Sequence, residues 1–167
     1  ITYQYYHVTI DPLSGSNMVL GGAQDNGTTM GGTDAGLIDN TTMTSVGPGD
    51  GVAVGIARRN GGLDKQIFVG YQQGVIYTDY PNDTYREITP TAAPVGDAAQ
   101  FVTYYYLDPD NNDHLYYAAK SELYRTSNAA SVTSETWVNA GKLLTFENLR
   151  TFATTRGPYN SLTSLDL

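Results

Sequence analysis

The chain of 167 residues contains no cysteine, so it has no disulfide framework, no thiolate metal site and no cysteine nucleophile. Basic residues are also scarce: Lys and Arg total 9 against 17 Asp and Glu, which gives a formal net charge of −8. This excess of negative charge repels nucleic acid phosphates and anionic membrane surfaces, which argues against both as partners. Charged residues make up only 16% of the chain and aromatic residues 11%, so the composition is not that of a disordered segment.

Long apolar runs are missing as well. The longest, at 52–57, has six residues, whereas a bilayer span needs roughly 18. No direct membrane insertion is therefore expected. The N-terminus starts with Ile1 and shows no signal-peptide pattern, so we expect a processed product or an interior piece of a longer protein. The acidic, cysteine-free, Tyr-, Asn- and Thr-rich composition favours a secreted or cell-surface location.

Helix signals are almost absent, and only 146–150 reads as a single helical turn. Short runs rich in Tyr, Val, Ile, Thr and Phe are instead bounded by Gly, Asn, Asp and Pro, which indicates strands joined by turns. The predicted strands are 6–10, 18–22, 28–30, 42–46, 52–57, 66–70, 75–78, 85–88, 101–107, 114–118, 123–126, 136–139 and 151–155. The predicted fold class is all-β.

These strands repeat with a fixed period. Three similar strands end in a small residue at positions 22, 70 and 118, which are 48 residues apart. Two Asp-Pro turns, at Asp11 and Asp108, lie two periods apart. A unit of four short strands in about 48 residues has the size of a propeller blade. The whole chain is therefore predicted to be part of one β-propeller of about three and a half blades, at about 6–51, 52–98, 99–148 and, in part, 149–167.

Two phrases carry a family resemblance. The third repeat reads Asp-Pro-Asp-Asn at 108–111, Leu-Tyr-Arg-Thr-Ser at 123–127 and then Trp137. The first repeat reads Gly-Gly-Ala-Gln-Asp-Asn-Gly at 21–27, followed by Gly-Pro-Gly-Asp-Gly at 47–51. On these residues the chain resembles BNR/Asp-box propeller repeats, a group that includes sortilin-like domains and family 74 xyloglucanases. The residues at 127–130 lack the Asp and Gly of a complete Asp box.

The resemblance implies a non-catalytic propeller segment of a large secreted or cell-surface bacterial protein, which serves binding, adhesion or display. It also implies export by the type-nine secretion system. The alternative is a fragment of a polysaccharide-degrading, family 74-like glycoside hydrolase whose catalytic residues lie partly outside this chain. A third reading is a purely structural propeller carried as secretion cargo.

The first candidate site is a polar turn. Gln24, Asp25, Asn26 and Asp50 are ligand or turn candidates. An Asn-Gly pair between apolar runs predicts a tight hairpin with positive φ at both residues, and the Asp25 carboxylate is expected to accept backbone N–H groups in that turn. The alternative function is contact of Gln24 and Asp25 with a ligand at the rim of the propeller.

The second candidate is a weak calcium site at Asp108, Asp110 and Asp113, since closely spaced carboxylates suit a cation that takes six to eight oxygen ligands. The spacing lacks the Gly and Glu of an EF-hand loop, and the same residues favour a turn without an ion. No other cofactor is predicted.

No catalytic residue is predicted. Glycoside hydrolysis needs two carboxyl groups about 5 to 9.5 Å apart, and no convincing pair can be chosen among the candidate carboxylates. Those candidates are Asp25, Asp34, Asp50, Asp97 and Glu147. His7 and His114 have no metal-ligand spacing and are interpreted as surface or packing residues.

An incomplete ring would leave an apolar sheet face open at each end. The predicted partners are therefore the remaining blades of the same polypeptide, or an export or anchoring protein complex. A carbohydrate or protein ligand is the further expected partner.

Overall fold

The computed structural model describes residues 3–39, 41–80 and 84–142. In these residues twelve strands form three four-stranded antiparallel sheets, joined by turns and short 3-10 segments. This confirms the all-β class. The predicted strand at 151–155, the helical turn at 146–150 and the partial repeat at 149–167 lie outside the described residues.

The sheets follow one another along the chain. The first contains β1 (Tyr5–Ile10), β2 (Val19–Ala23), β3 (Gly27–Gly31) and β4 (Met43–Gly47). The second contains β5 (Gly51–Arg59), β6 (Asp64–Tyr71), β7 (Val75–Thr78) and β8 (Arg86–Glu87). The third contains β9 (Tyr105–Leu107), β10 (Leu115–Ala119), β11 (Glu122–Thr126) and β12 (Val138–Lys142). Each strand pairs with its neighbours in chain order.

One predicted strand is shorter than expected. The prediction covered 101–107, but pairing begins only at Tyr105. The carbonyl of Phe101 instead accepts a hydrogen bond from the backbone N–H of Gln73, 2.9 Å away, in a turn of the second sheet. This segment is thus held by the preceding sheet, which periodicity along one strand does not reveal.

The repeat is visible in backbone conformation. The second strands of the three sheets end at Ala23, Tyr71 and Ala119, at intervals of 48. The turn that follows each contains a non-glycine residue with positive φ: Asp25 at 57°, Gln73 at 61° and Lys120 at 52°. The same left-handed turn therefore joins the second and third strands of every sheet.

Two apolar cores lie between consecutive sheets. One, between the first and second, includes Leu20, Val54 and Ile56, and the other, between the second and third, includes Ala53 and Phe68. Successive side chains of a strand point to opposite faces, so β5 contributes to both cores. Strand β5 also contacts β1 and β9, the first strands of the neighbouring sheets.

Buried polar groups tie the second and third sheets together. The Tyr105 hydroxyl donates to the carbonyl oxygens of Ala53, 3.0 Å away, and Phe68, 2.6 Å away. The Gln66 side-chain amide donates to the Thr78 hydroxyl and the Ala129 carbonyl. Because these groups are buried, each bond also removes a desolvation cost. Among the described residues, no helix has the length and apolar character needed to cross a membrane.

Candidate functional site

The structure brings Asp25 and Asp50 together. The backbone N–H of Asp25 donates to Oδ1 of Asp50 over 2.7 Å, which joins the β2–β3 turn to the segment that leads into the second sheet. Asp50 is also held by Gln72, whose side-chain oxygen accepts its N–H at 3.0 Å and whose own N–H donates to its carbonyl at 3.1 Å. The Asn26 amide donates to the Gln24 carbonyl at 2.8 Å. Gln24, Asp25, Asn26 and Asp50 thus form one polar turn at a sheet end.

Two details of this turn differ from the prediction. Positive φ occurs at Asp25 and Gly27, not at Asn26 and Gly27. The strands pair through Ala23 and Gly27, so the loop has three residues and the two left-handed positions are one residue apart. In the described structure the Asp25 carboxylate accepts no backbone N–H of the turn; that role belongs to Asp50.

The two glycine-rich phrases pack against each other. A Cβ at Gly22 would lie 2.1 Å from the Val52 carbonyl oxygen, and one at Gly27 would lie 1.9 Å from that of Gly47. A Cβ at Gly51 would lie 2.3 Å from the Gly27 carbonyl oxygen. These backbones approach more closely than any side chain allows. The residues that carry the family resemblance in the first repeat therefore hold the first sheet against the second.

The second sheet repeats the arrangement. Gln73 stands at the position of Asp25, and its side-chain amide donates to Oδ1 of Asp97 over 3.2 Å. Asp97 belongs to the segment between the second and third sheets. The turn between the second and third strands thus contacts the segment leading to the next sheet in both places where that segment is described.

Asp34 lies at the opposite end of the first sheet. Its carboxylate accepts the N–H of Asn17 at 2.8 Å, and its own N–H donates to the Asn17 side chain at 3.0 Å. The five-residue strand β3 separates it from Asp25 and Asp50, a length of about 16 Å. That separation is too large for a glycosidase pair with either. Glu147 lies outside the described residues.

The calcium candidates form a hydrogen-bonded loop instead of a cage. Oδ1 of Asp108 accepts the N–H groups of Asp110, at 2.9 Å, and Asn111, at 3.2 Å, and its Oδ2 lies 3.6 Å from Nδ1 of His114. The Asp113 carboxylate is paired with Arg59. In residues 3–39, 41–80 and 84–142, no group of three or more His, Cys, Asp or Glu side chains is placed to hold a metal ion.

The sequence reasoning missed the two arginines at the end of β5. Arg58 donates through Nε to Oδ1 of Asp11 at 2.8 Å, and its Nη2 contacts the other carboxylate oxygen. Arg59 donates to Asp113 and to the buried Gln66 side-chain oxygen. As consecutive strand residues they point to opposite faces, so one binds the first sheet and the other the third. The available signal was two adjacent basic residues, rare in this chain, at the end of a buried strand.

The environment of Asp11 is strongly polarised. Its side chain is fully buried. Burial opposes ionisation, but hydrogen bonds from Arg58, the Ser16 hydroxyl and the Leu13 N–H outweigh it and lower the pKa of Asp11 to about 2. Asp11 is therefore ionised at neutral pH and anchors the β1–β2 connection to β5.

His7 lies between the first strands of two sheets. Its Nδ1 accepts the backbone N–H of Val54 at 3.1 Å. Burial lowers the pKa of the His7 imidazole. Protonation at Nδ1 would place a second N–H against that of Val54, so the neutral ring is the one that fits. His7 is thus a packing residue, whereas His114 lies at the edge of the Asp108 loop.

One open depression, of about 300 Å³, lies beside the last strand of the second sheet. None of the predicted candidates lines it. Its lining consists of Glu87, Thr89, Pro90, Thr91, Ala93, Val95 and Ser134.

Comparison with known proteins found no match: no family model, no curated protein and no solved structure resembles the chain closely enough to be assigned. The BNR/Asp-box resemblance therefore stays a prediction that rests on the residues quoted above.

Proposed function

We propose that the three sheets are consecutive blades of a β-propeller. Three observations support this: the sheets follow one another in chain order, an apolar core lies between each neighbouring pair, and the first strands β1, β5 and β9 are in contact in sequence. In a propeller the first strand of each blade lies next to the central axis. The remaining blades would come from the same polypeptide.

We propose further that the chain is a non-catalytic segment of a large secreted or cell-surface bacterial protein that binds or displays a ligand. The observation that carries this is the use of the charged side chains. Asp11, Asp50 and Asp113 each bind a residue of a neighbouring sheet or the segment leading to it, so these carboxylates build a scaffold. Type-nine secretion is the export route that the resemblance implies.

The end of the sheets that carries the left-handed turns is the proposed binding surface. Asp25 and Lys120 are exposed there, and Gln24 and Gln73 are half-buried. Amide, carboxylate and ammonium groups together offer donors and acceptors for hydroxyl groups, which suits a carbohydrate ligand. A protein ligand is the other class that the test below separates.

The purified chain should be run in native gels containing xyloglucan, with release of reducing ends measured in parallel. We expect retardation of the chain without release of reducing ends. A double variant, Gln24→Ala with Gln73→Ala, should lose the retardation, while Gln100→Ala, away from these turns, should keep it. Retardation absent from the wild type would exclude this carbohydrate and favour a protein ligand. Reducing ends lost in Asp34→Ala would contradict the non-catalytic proposal and support the family 74-like alternative.

A further inference from the structure

An apolar face of the first sheet lies open to solvent. Val8 is 53% exposed and Ile10 is 67% exposed, and Met43, on β4 in line with Ile10, is 45% exposed. Cross-strand register places Ile10 opposite Val19 and Gly31 opposite Met43, so these side chains share one side of the sheet. We call this side, formed by Tyr5, Val8, Ile10, Val19 and Met43, the outer face of the first sheet.

The same register positions are buried in the second sheet. Val8 pairs with Gly21 in the first sheet as Val54 pairs with Val69 in the second, and Gly21 and Val69 are one period apart. Val54 is 3% exposed because it packs against the first sheet.

Ile10 repeats this relation. It pairs with Val19 as Ile56 pairs with Ile67, and Ile56 is only 4% exposed. In the third sheet Leu107 pairs with Leu115, which is fully buried against the second sheet. The outer face of the first sheet therefore has the residue types and register of two faces that are each covered by a preceding sheet.

Tyr5 completes this face. A Cβ at Gly21 would lie 2.5 Å from the Tyr5 ring, so the ring lies on the glycine and occupies the place that the Val69 side chain takes in the second sheet. Its hydroxyl hydrogen-bonds to the Thr29 hydroxyl at 3.1 Å, and its ring stacks on Tyr3. The face is thus filled and ordered without a partner.

The opposite end of the described structure presents the complementary positions. In the two internal contacts the covering sheet contributes Leu20 or Phe68, both fully buried. One further period along the chain the equivalent residue is Tyr116, which pairs with Arg125. Leu123, on the same side, is partly exposed and corresponds to the buried Ile76 of the second sheet. We call Tyr116, Ala118, Leu123 and Arg125 the outer face of the third sheet.

We propose that the outer face of the first sheet docks the outer face of the third sheet of a second copy of this chain. This rests on the propeller proposed above, since it extends the contact already present between neighbouring sheets. Such a contact joins two different surfaces, so it closes a ring or continues into longer assemblies. Two copies would supply six of the described sheets, within the four to eight blades that close propellers.

The test is light scattering coupled to size exclusion, over a wide range of concentration, on the full 167-residue chain. Ile10→Lys blocks one face and Leu123→Lys blocks the other. Lysine reduces the net charge of −8, so a loss of assembly cannot come from greater repulsion. The control is Ile38→Lys, a residue that is 89% exposed but lies outside the strands.

We expect the wild type and Ile38→Lys to assemble, and the two face variants to be monomers. An equimolar mixture of the two face variants should form a dimer of one copy of each, because each retains the face that the other lacks. Near-ultraviolet circular dichroism checks folding, and Val8→Lys replaces Ile10→Lys if that variant does not fold.

A wild type that is monomeric at every concentration would overturn the docking proposal, as would a mixture that stays monomeric. Assembly that survives Ile10→Lys and Val8→Lys would also overturn it. None of these results bears on the propeller, which fails only if nuclear Overhauser contacts between β1, β5 and β9 are missing in the monomeric variants.

Discussion

The ion pair between Arg58 and Asp11 should be a main link between the first and second sheets. A pKa lowered from 3.8 to about 2 corresponds to about 2 kcal/mol of stability at neutral pH. Removing the cation leaves a fully buried carboxylate without its counter-ion, which costs about 3 kcal/mol or more. We therefore expect Arg58→Met to lower the free energy of unfolding by about 3 kcal/mol at pH 7.

The pH dependence follows from the same pair. The folded-state pKa of Asp11 is below its unfolded value, so its stabilisation is present above about pH 4 and is lost as the pH falls through about 2. The cost of Arg58→Met should be smaller at pH 3 than at pH 7, because without the guanidinium the carboxyl takes up a proton.

Urea unfolding of the wild type, Arg58→Met, Asp11→Asn and the double variant gives the coupling energy directly. Lys65→Met is the matched control, since Lys65 lies opposite Arg58 on β6 and forms no ion pair in the described structure. It should be nearly neutral. A coupling below about 0.5 kcal/mol, the size of an exposed pair, would refute the reasoning.

Three further outcomes are expected. Burial lowers the pKa of His7, so stability should fall as the pH drops below about 6.5, since the unfolded chain takes up a proton that the folded form, with Val54 N–H bound to Nδ1, rejects; unfolding measured between pH 7 and 5 tests this. Gly22→Ala should cost about 3 kcal/mol or more, because its Cβ meets the Val52 carbonyl 2.1 Å away. Tyr105→Phe should cost about 1 to 2 kcal/mol by leaving two buried carbonyl groups without that donor, measured by urea unfolding.

Each outcome has a control. His7→Gln should flatten the stability profile between pH 7 and 5, and a profile that keeps its slope contradicts the assignment. Gly15→Ala, which meets no atom within 4 Å, should cost only the backbone strain of about 1 kcal/mol. Tyr116→Phe, whose hydroxyl has no hydrogen bond in the described structure, should be nearly neutral. A larger loss there than in Tyr105→Phe would contradict the buried-bond argument.

The polar turn at Asp25 was predictable in place but not in geometry. Gly, Asn and Asp between apolar runs indicate a turn for local reasons of φ and hydrogen bonding. Which residue takes positive φ depends on the strand pairing that fixes the loop length, here Ala23 with Gly27. Which carboxylate caps the turn depends on Asp50, which reaches Asp25 only through contact between two sheets.

The role of Asp113 shows the same limit. Its spacing from Asp108 and Asp110 is compatible with a cation site, and nothing local distinguishes that from a turn. The structure pairs it with Arg59, 54 residues earlier in the chain. Such a partner cannot be found by periodicity, because it depends on how the end of one sheet meets a loop of the next.

The sequence by itself determined the all-β class, the repeat of about 48 residues and the position of most strands. These follow from strand periodicity and turn chemistry, which act over a few residues. Only the tertiary structure decided that β5 serves two cores, that Arg58 and Arg59 bind opposite neighbours, and that Val8 and Ile10 stay exposed while Val54 and Ile56 are buried. The physical reason is that burial and ion pairing depend on which sheet covers a face, and residues of identical type and register differ when that neighbour is present or absent.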